Sequence, residues 1–579
     1  MTAPDTYYTS PSTQYQEEGV RLQEPEQVDV NKHEAEYKEF SNASTSSTTQ
    51  PTLEQTLERR EKMAKENPRA AKITEALAQY IALDDQPLSV VENSGFRKLL
   101  SVLEPRYAIP SRHYITDTEL PKLHNAVKKH IQGLLQDIPA FSFTTDIWSS
   151  TVTPMSLISL TAHWIGEDFT RKNAILHAKQ FRGSHTGTAI ASVFEEMLET
   201  WGIPKSSVQV VVRDSAKNMI KAMNEAGLPS LSCVAHTFQL AVNEGLLSQR
   251  SVSDAVAIGR KIVGHFKHSP LAYSRLEDVQ LELLQPTARL QQDVPTRWNS
   301  TYYMMQSLTE QKRALTLYGS EYELPATLST HQWTLLEHAM SVLSPFEELT
   351  KRVSSSDALA SDVIPAVTVL LRVLTQETEQ DQGIKTMKAT LTAAVRRRFS
   401  DVERNPLYSI ASVLDPRYKD CFFSNTNTAV EAKEMVRLEL QKLSGGEADV
   451  GEPPARKQRK AQASRSSLDS VFAEIVNEQV AASLRTAPVG GAIELETYLG
   501  EALSKQDDKP LHYWGLNKVR FPTLAKMSRK YLSEPCSSVD SERLFSSVTH
   551  IVDETRNRIT PEHAEMLLFI KKNLPLTFP

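Results

Sequence analysis

The sequence is poor in cysteine: Cys233, Cys421 and Cys536 are the only three in 579 residues. They are too few and too scattered for a disulfide framework, which excludes a small stapled scaffold and points to a reducing compartment, cytosol or nucleus. Long apolar runs are lacking as well. The stretch from Met566 to Ile570 is among the longest, far short of the roughly 18 residues of a membrane span, so no membrane partner is expected. Met1 opens into polar residues without a basic start and an apolar stretch, so no secretory signal is read. At roughly 100 to 200 residues per domain the length allows three or four units.

An excess of basic charge is also missing: 65 Lys+Arg against 71 Asp+Glu give a net charge of −6, which at first argues against a nucleic-acid partner. Residues 1–50, however, hold nine acids and three bases, so they carry the whole excess and the remainder is balanced. With the Ser/Thr run from Ser41 to Thr52, this start has too little apolar surface to offset ordering entropy, and residues 1–55 read as a disordered acidic tail.

Residues 56–137 read as a helical domain with a charged stretch (Glu58 to Asn67), then Ile73 to Tyr80, and a helix whose Leu123, Val127, Ile131, Leu134 and Leu135 share one face. Its basic surface includes Lys122, Lys128, Lys129 and His130. The period then changes. Phe141 to Asp146 reads as a strand; Ile158, Leu160, Ala162 and Trp164 alternate with polar residues as a half-buried strand; Asn173 to Phe181 is a third. Ile190, Val193, Phe194, Met197, Leu198 and Trp201 form the stripe of an amphipathic helix. Val208 to Val212 is a β-branched run interrupted only by Gln209, as expected of a strand covered on both faces. Residues 138–245 thus form an α/β sheet unit. Residues 246–515 are helical, broken by a Gly-, Pro- and Ser-rich linker at 444–467 that carries Arg456, Lys457, Arg459 and Lys460. Residues 516–579 return to helix from Ser537 to Ile551 and again after Thr560-Pro561.

Asp146 and Asp214 each stand where a predicted strand ends. Two carboxylates at the carboxyl ends of strands could share a divalent cation, or could cap turns. A third acid discriminates. Phe143-Thr144-Thr145-Asp146-Ile147-Trp148, Arg213-Asp214-Ser215-Ala216-Lys217-Asn218-Met219, Cys233-Val234-Ala235-His236, Arg297-Trp298-Asn299-Ser300 and Ser541-Glu542-Arg543-Leu544-Phe545-Ser546 resemble, in order, the landmarks of hAT-superfamily DNA transposases, and in particular the Activator-like BED zinc-finger proteins. The resemblance covers roughly residues 70–575. It implies a fold of class α/β plus all-α: a ribonuclease-H-like catalytic core interrupted by a large helical insertion, with a helical N-terminal domain and a C-terminal hAT dimerisation region that completes the core.

On that resemblance Asp146, Asp214 and Glu542 match the catalytic, metal-binding DDE triad, with Mg²⁺ or Mn²⁺ as cofactor; Asp540 and Glu534 are nearby competitors outside the motif. Phosphodiester chemistry uses two hard cations roughly 4 Å apart, and carboxylates supply hard oxygen ligands. By its residues alone a lone Trp in a helical domain is more often core than functional, whereas the family pattern assigns Trp298 to stacking on an unpaired base, with Arg297 also set against DNA, so that stacking and packing stand about even. Lys128 and Lys129 are further DNA candidates. Cys233 and His236 share a helix face; with His265 and His268 they could be written as a zinc set, but zinc modules declare themselves by paired cysteines, so this motif is read as structural. Leu544, Phe545, Val548, Leu567 and Leu568 lie on apolar faces that the family points to a dimer interface.

One departure shapes the functional reading. The BED-type relatives carry an N-terminal finger of two cysteines and two histidines, whereas no cysteine precedes Cys233 and residues 1–70 offer only His33; no finger is expected in this sequence. The Arg456 to Lys460 cluster suits a nuclear address. The expectation is a nuclear, double-stranded-DNA-binding homodimer or higher oligomer. Intact acids favour a metal-dependent transposase, and the missing finger favours a non-catalytic regulator or chromatin scaffold.

Overall fold

The run Phe141-Ser142-Phe143-Thr144 is buried throughout, and it lies between two partner strands in a computed structural model that describes residues 62–150, 155–294, 296–444, 467–480, 491–551 and 559–577. The acidic tail, the basic cluster Arg456, Lys457, Arg459 and Lys460, and the Arg556-Asn557-Arg558 punctuation lie outside the described residues. Among the described residues no helix is long and apolar enough to cross a membrane.

Six strands form one sheet: β1 (Phe141–Thr144), β2 (Ile147–Ser149), β3 (Ser156–Ile165), β4 (Arg171–Gln180), β5 (Val208–Arg213) and β6 (Ser230–Ser232). The path runs β2-β3-β1-β5-β6, with β4 on β3. β1 is antiparallel to β3 and parallel to β5, and β5 is parallel to β6. Since β4 pairs with β3 from Leu157 to Ile165, β1 and β2 share β3's other edge as one interrupted strand, and Thr145-Asp146 is the interruption. The short β2 and β6 escape a sequence reading because three residues carry no measurable alternation.

Both faces of the sheet are covered. Val210 and Val212 of β5 enter one apolar core with the helical insertion, and Val211 enters the other. The insertion includes α5 (Val234–Leu246), α6 (Trp298–Glu310) and α7 (Thr330–Val353); the opposite core is built by α1 (Pro68–Leu83), α2 (Leu120–Leu135), α3 (Gly187–Thr200), α4 (Lys217–Glu225), α8 (Val539–Ile551) and α9 (Pro561–Thr577). This corrects the half-buried reading of β3: Ser159, Thr161 and His163 are buried along with their apolar neighbours, because helices cover the side that alternation assigned to water. The charged stretch Glu58 to Asn67 is also corrected in its described part, residues 62–67, which is not helical. The helix starts at Pro68, with Asn67 Oδ1 accepting from Arg69 N at 3.0 Å.

Residues 62–65 and 99–108 form a small separate unit, in which Met63 N donates to Arg106 O at 2.9 Å and Lys62 Nζ to Pro105 O at 3.1 Å. Within the insertion, Trp514 is fully buried and donates from Nε1 to Leu414 O at 2.9 Å. Arg417 bridges the buried carboxylates Asp415 and Asp362 at 2.6 and 2.9 Å, so each charge taken out of water keeps a partner.

The outer edge of β4 is closed by a side chain. Asn573 of α9 is buried, and its amide accepts from Ile175 N at 3.0 Å and donates to Ile175 O at 2.7 Å. It supplies to that residue the two bonds a further strand would supply. Asn573→Leu leaves both backbone groups unpaired, and the expected loss of stability is about 2–4 kcal/mol, measured by urea unfolding at constant m-value.

Candidate active site

β1 and β5 run side by side with Phe143 opposite Val211 and Thr144 opposite Val212. Continued by two residues, this register sets Asp146 beside Asp214. Each carboxylate is oriented by its own turn: Asp146 Oδ1 accepts from Ile147 N at 2.8 Å, and Asp214 Oδ1 from Ala216 N at 3.1 Å. Asp146 is held further by its backbone, since Ser159 N donates to its carbonyl and its own N–H donates to Ser159 Oγ, both at 3.0 Å. Asp214 follows Arg213, whose guanidinium donates to Asp214 O at 2.8 Å and to Ser232 Oγ at 3.0 Å, fixing the end of β5 to β6.

Glu542 reaches these strands from the far side of the insertion along a sutured segment. Ser533 Oγ lies 2.9 Å from Ser142 Oγ of β1, and Glu534 Oε1 accepts from Gln209 Nε2 of β5 at 2.8 Å. Cys536 O accepts from Val234 N at 3.0 Å, Ser538 N donates to Cys233 Sγ at 3.3 Å, and Ser541 Oγ donates to Thr144 Oγ1 at 3.2 Å. Cys536 Sγ and Ser537 Oγ both donate to Val353 O at the end of α7, at 3.2 and 2.8 Å. Glu542 then projects from the first turns of α8, where the helix dipole favours negative charge.

Asp146 feels both of the other acids. Burial raises the Asp146 carboxyl to about 7 against the pull of the Ile147 N–H, and the charges of Asp214 and Glu542 add to the rise. Glu542, although exposed on its outer side, is raised by partial desolvation and lowered by Arg297 and then His236. Among the described residues no three His, Cys, Asp or Glu side chains stand close enough to share one ion. The chemistry of the donor set nevertheless fits a hard divalent cation: three carboxylates, unbalanced charge, and one oxygen of each Asp already fixed by a backbone N–H.

Of the other sequence candidates, Arg297 is exposed and acts electrostatically on Glu542, as does His236. Trp298 is buried, with Tyr302 and Phe346 as edge-on neighbours, so it offers no open face for a base in this structure. Lys128 lies over the Trp201 ring at 5.5 Å and Lys129 beside it on α2 is exposed. Trp201 ends α3, which leads through residues 202–207 to the beginning of β5, whereas Asp214 stands at that strand's end. Leu544, Phe545, Val548, Leu567 and Leu568 are all buried in the chain's own core, the internal packing that the sequence left open beside a dimer role. Cys233 is structural: its buried thiol, pushed up by burial, accepts the Ser538 N–H. Glu534, the competing acid, is fully buried and raised well above the usual carboxylate range by desolvation. Asp540 pairs with Arg543 at 3.5 Å. The sutures Ser142, Gln209 and Ser541 were missed; the one signal was Gln209 itself, a polar residue inside an otherwise apolar buried strand.

The raised Asp146 pKa has a consequence for stability. Its folded value lies above the unfolded one, so the neutral form stabilises the fold fully below about pH 4, and that contribution is lost as pH rises through about 7. Asp146→Asn cannot ionise. Its thermal midpoint relative to wild type is expected to be small in difference at about pH 5 and clearly higher at about pH 8; an equal difference at both would show that Asp146 does not titrate in this window.

Comparison with known families agrees with this arrangement. Residues 144–230 match the ZBED1 RNase-like domain, residues 231–342 the ZBED1 RNase-like helical domain, and residues 494–574 the hAT family C-terminal dimerisation region. The chain is 32% identical over 533 residues to human zinc finger BED domain-containing protein 4, covering 90% of this chain and 45% of that protein. It is 26% identical to mouse zinc finger BED domain-containing protein 6, over 88% of this chain and 56% of that one. It is 25% identical to a putative AC transposase of maize, over 85% and 64% respectively. The chain therefore spans about half the length of the curated BED relatives it matches. With its ribonuclease-like sheet, the helical domain that follows, and the dimerisation helices that return to the sheet, the chain belongs to the hAT transposase-derived, ZBED-like family.

Proposed function

We propose that this chain is a nuclear, dimeric DNA-binding protein whose Asp146, Asp214 and Glu542 form a divalent-metal centre for cleavage and transfer of DNA strands. One observation carries the reading: a segment fastened to β1, β5 and α5 delivers Glu542 to the neighbourhood of two carboxylates that end adjacent parallel strands. Asp146, Asp214 and Glu542 would hold Mg²⁺ or Mn²⁺. Bound there, the ions would supply charge stabilisation to the attacking and leaving oxygens of a phosphodiester. Arg297, exposed beside Glu542, supplies a fixed positive charge for a DNA phosphate. The nuclear address rests on the Arg456 to Lys460 cluster, and the dimer on the matched dimerisation region.

A second reading, a non-catalytic regulator, is favoured by the spacing of the acids, which do not gather around one ion, and by 24% identity to a putative transcriptional regulator, tpeD, of Talaromyces stipitatus. The two are separated by incubating the protein with labelled DNA ends and Mn²⁺. The first reading expects Asp146→Ala, Asp214→Ala and Glu542→Ala each to lower product by about a hundredfold or more. Equal product from wild type and all three variants would remove the enzyme. DNA binding and dimerisation without metal-dependent product would establish the regulator.

A further inference from the structure

α5 presents three side chains at intervals of three residues, and two of them are already accounted for. Cys233, its N-cap, receives the Ser538 N–H of the segment that delivers Glu542, and His236, one turn on, acts on the Glu542 carboxyl. The third is Gln239, three residues beyond His236 and its neighbour on the helix surface. Its Oε1 accepts from Trp298 N at 3.1 Å, and its Nε2 donates to Thr296 O at 2.6 Å. A backbone N–H can only donate and a carbonyl can only accept, so the orientation of the amide is dictated by these partners. The two bonds fall on the residues immediately before and after Arg297, and so clamp the backbone that carries the guanidinium.

The surrounding chain is fastened in the same manner. Asp293, buried, accepts from Arg260 Nε at 2.7 Å and from Thr301 Oγ1 at 3.1 Å; Ser300 Oγ accepts from Val294 N at 2.8 Å and donates to Arg297 O at 2.6 Å. Those contacts fix the approach to Arg297 from within its own segment and the neighbouring helix. Gln239 alone among the side chains named here ties that segment to α5, the helix that also receives the Glu542 segment. Arg297 has no side-chain cap of its own at the start of α6, and its side chain is exposed. Without the clamp, the separation between the cation and the third carboxylate would be set by a surface loop.

We propose that Gln239 is a positioning residue: by bracketing the backbone on both sides of Arg297 it holds that guanidinium at the edge of the carboxylate centre, where it meets a DNA phosphate. The proposal rests on the reading of Arg297 as a phosphate contact. The test measures binding of a fluorescent mixed-sequence DNA duplex to the full chain, without added metal, across a series of salt concentrations. Loss of one phosphate contact lowers the slope of log affinity against log salt by about 0.9. Arg297→Ala is expected to lower the slope by that amount, Gln239→Leu by the same amount, and the double variant by no more than either. A merely structural role reduces the binding-competent fraction and leaves the slope unchanged. Gln239→Ala repeats the measurement should leucine disturb folding, and thermal unfolding identifies the folded variants. A wild-type slope for the folded Gln239 variants beside a lowered slope for Arg297→Ala overturns the proposal and leaves the DNA reading standing. A wild-type slope for Arg297→Ala, or no DNA binding by the wild type, overturns the reading and the proposal with it.

Discussion

The arrangement of this protein depends on the fastening of residues 533–538 to the sheet. Three hundred residues, 233–532, separate β6 from this segment, and the entropy of closing so long a loop has to be offset by local contacts at the point of return. Those contacts are polar, short and buried: Ser533 on Ser142, Glu534 on Gln209, Cys536 on Val234 and Val353, Ser538 on Cys233. All but the Val353 contact, which ties the returning chain to the end of α7, join it to an element that also carries or flanks an acid of the site. The segment cannot shift along the sheet without leaving several buried donors and acceptors unpaired, a cost that rises with each broken bond. The register of Glu542 against Asp146 and Asp214 follows.

Glu534 shows how the fastening is reconciled with charge. A carboxylate buried this deeply would be costly ionised, and burial pushes its pKa well above the usual carboxylate range. Desolvation thus works against a further negative charge at the join between β5 and the returning chain, where Gln209 Nε2 donates to Glu534. The same logic governs Arg417 in the insertion, where two buried acids share one guanidinium. The acids of the site also receive direct hydrogen bonds: one oxygen of Asp146 and one of Asp214 accepts a backbone N–H, and the Arg297 cation near Glu542 stands at the surface.

Much of this was legible in sequence where a period or a motif could be counted. Val208 to Val212, the stripe on α3, and the helices of the insertion are long enough for burial to leave a pattern. The Asp146 and Asp214 positions were legible because a strand end and a motif coincide. What escaped was set by three-dimensional neighbours. β3 alternates like a half-exposed strand, yet its polar side is buried because Ser159 and His163 find partners in Asp146 and Thr144. Leu544 and its neighbours have the apolar character of an interface and are consumed by the chain's own core. Trp298 left packing and stacking open in sequence, and its burial against Phe346 is a fact that no pattern in the sequence carried. Gln239 carries no motif at all; its meaning lies in the backbone of a segment some sixty residues away.

The charge of the site follows from these constraints. Parallel strands place two carboxylates side by side, and the sutures add a third; none of the joins brings a buried cation to Asp146. The imbalance can be relieved by taking up a proton, as the raised Asp146 value indicates, or by binding a divalent ion, which neutralises two acids at once and leaves the fold untouched. The sutures themselves do not depend on either event, because they are made by serines, a glutamine, backbone groups, a thiol and a desolvated acid. The architecture therefore does not require a bound metal. Conversely, the energetic penalty of keeping three acids together in a protein with no use for a cation is removed by a single change at Asp146 that the fold would tolerate. The divalent ion of the proposed centre would remove the same penalty while keeping all three acids.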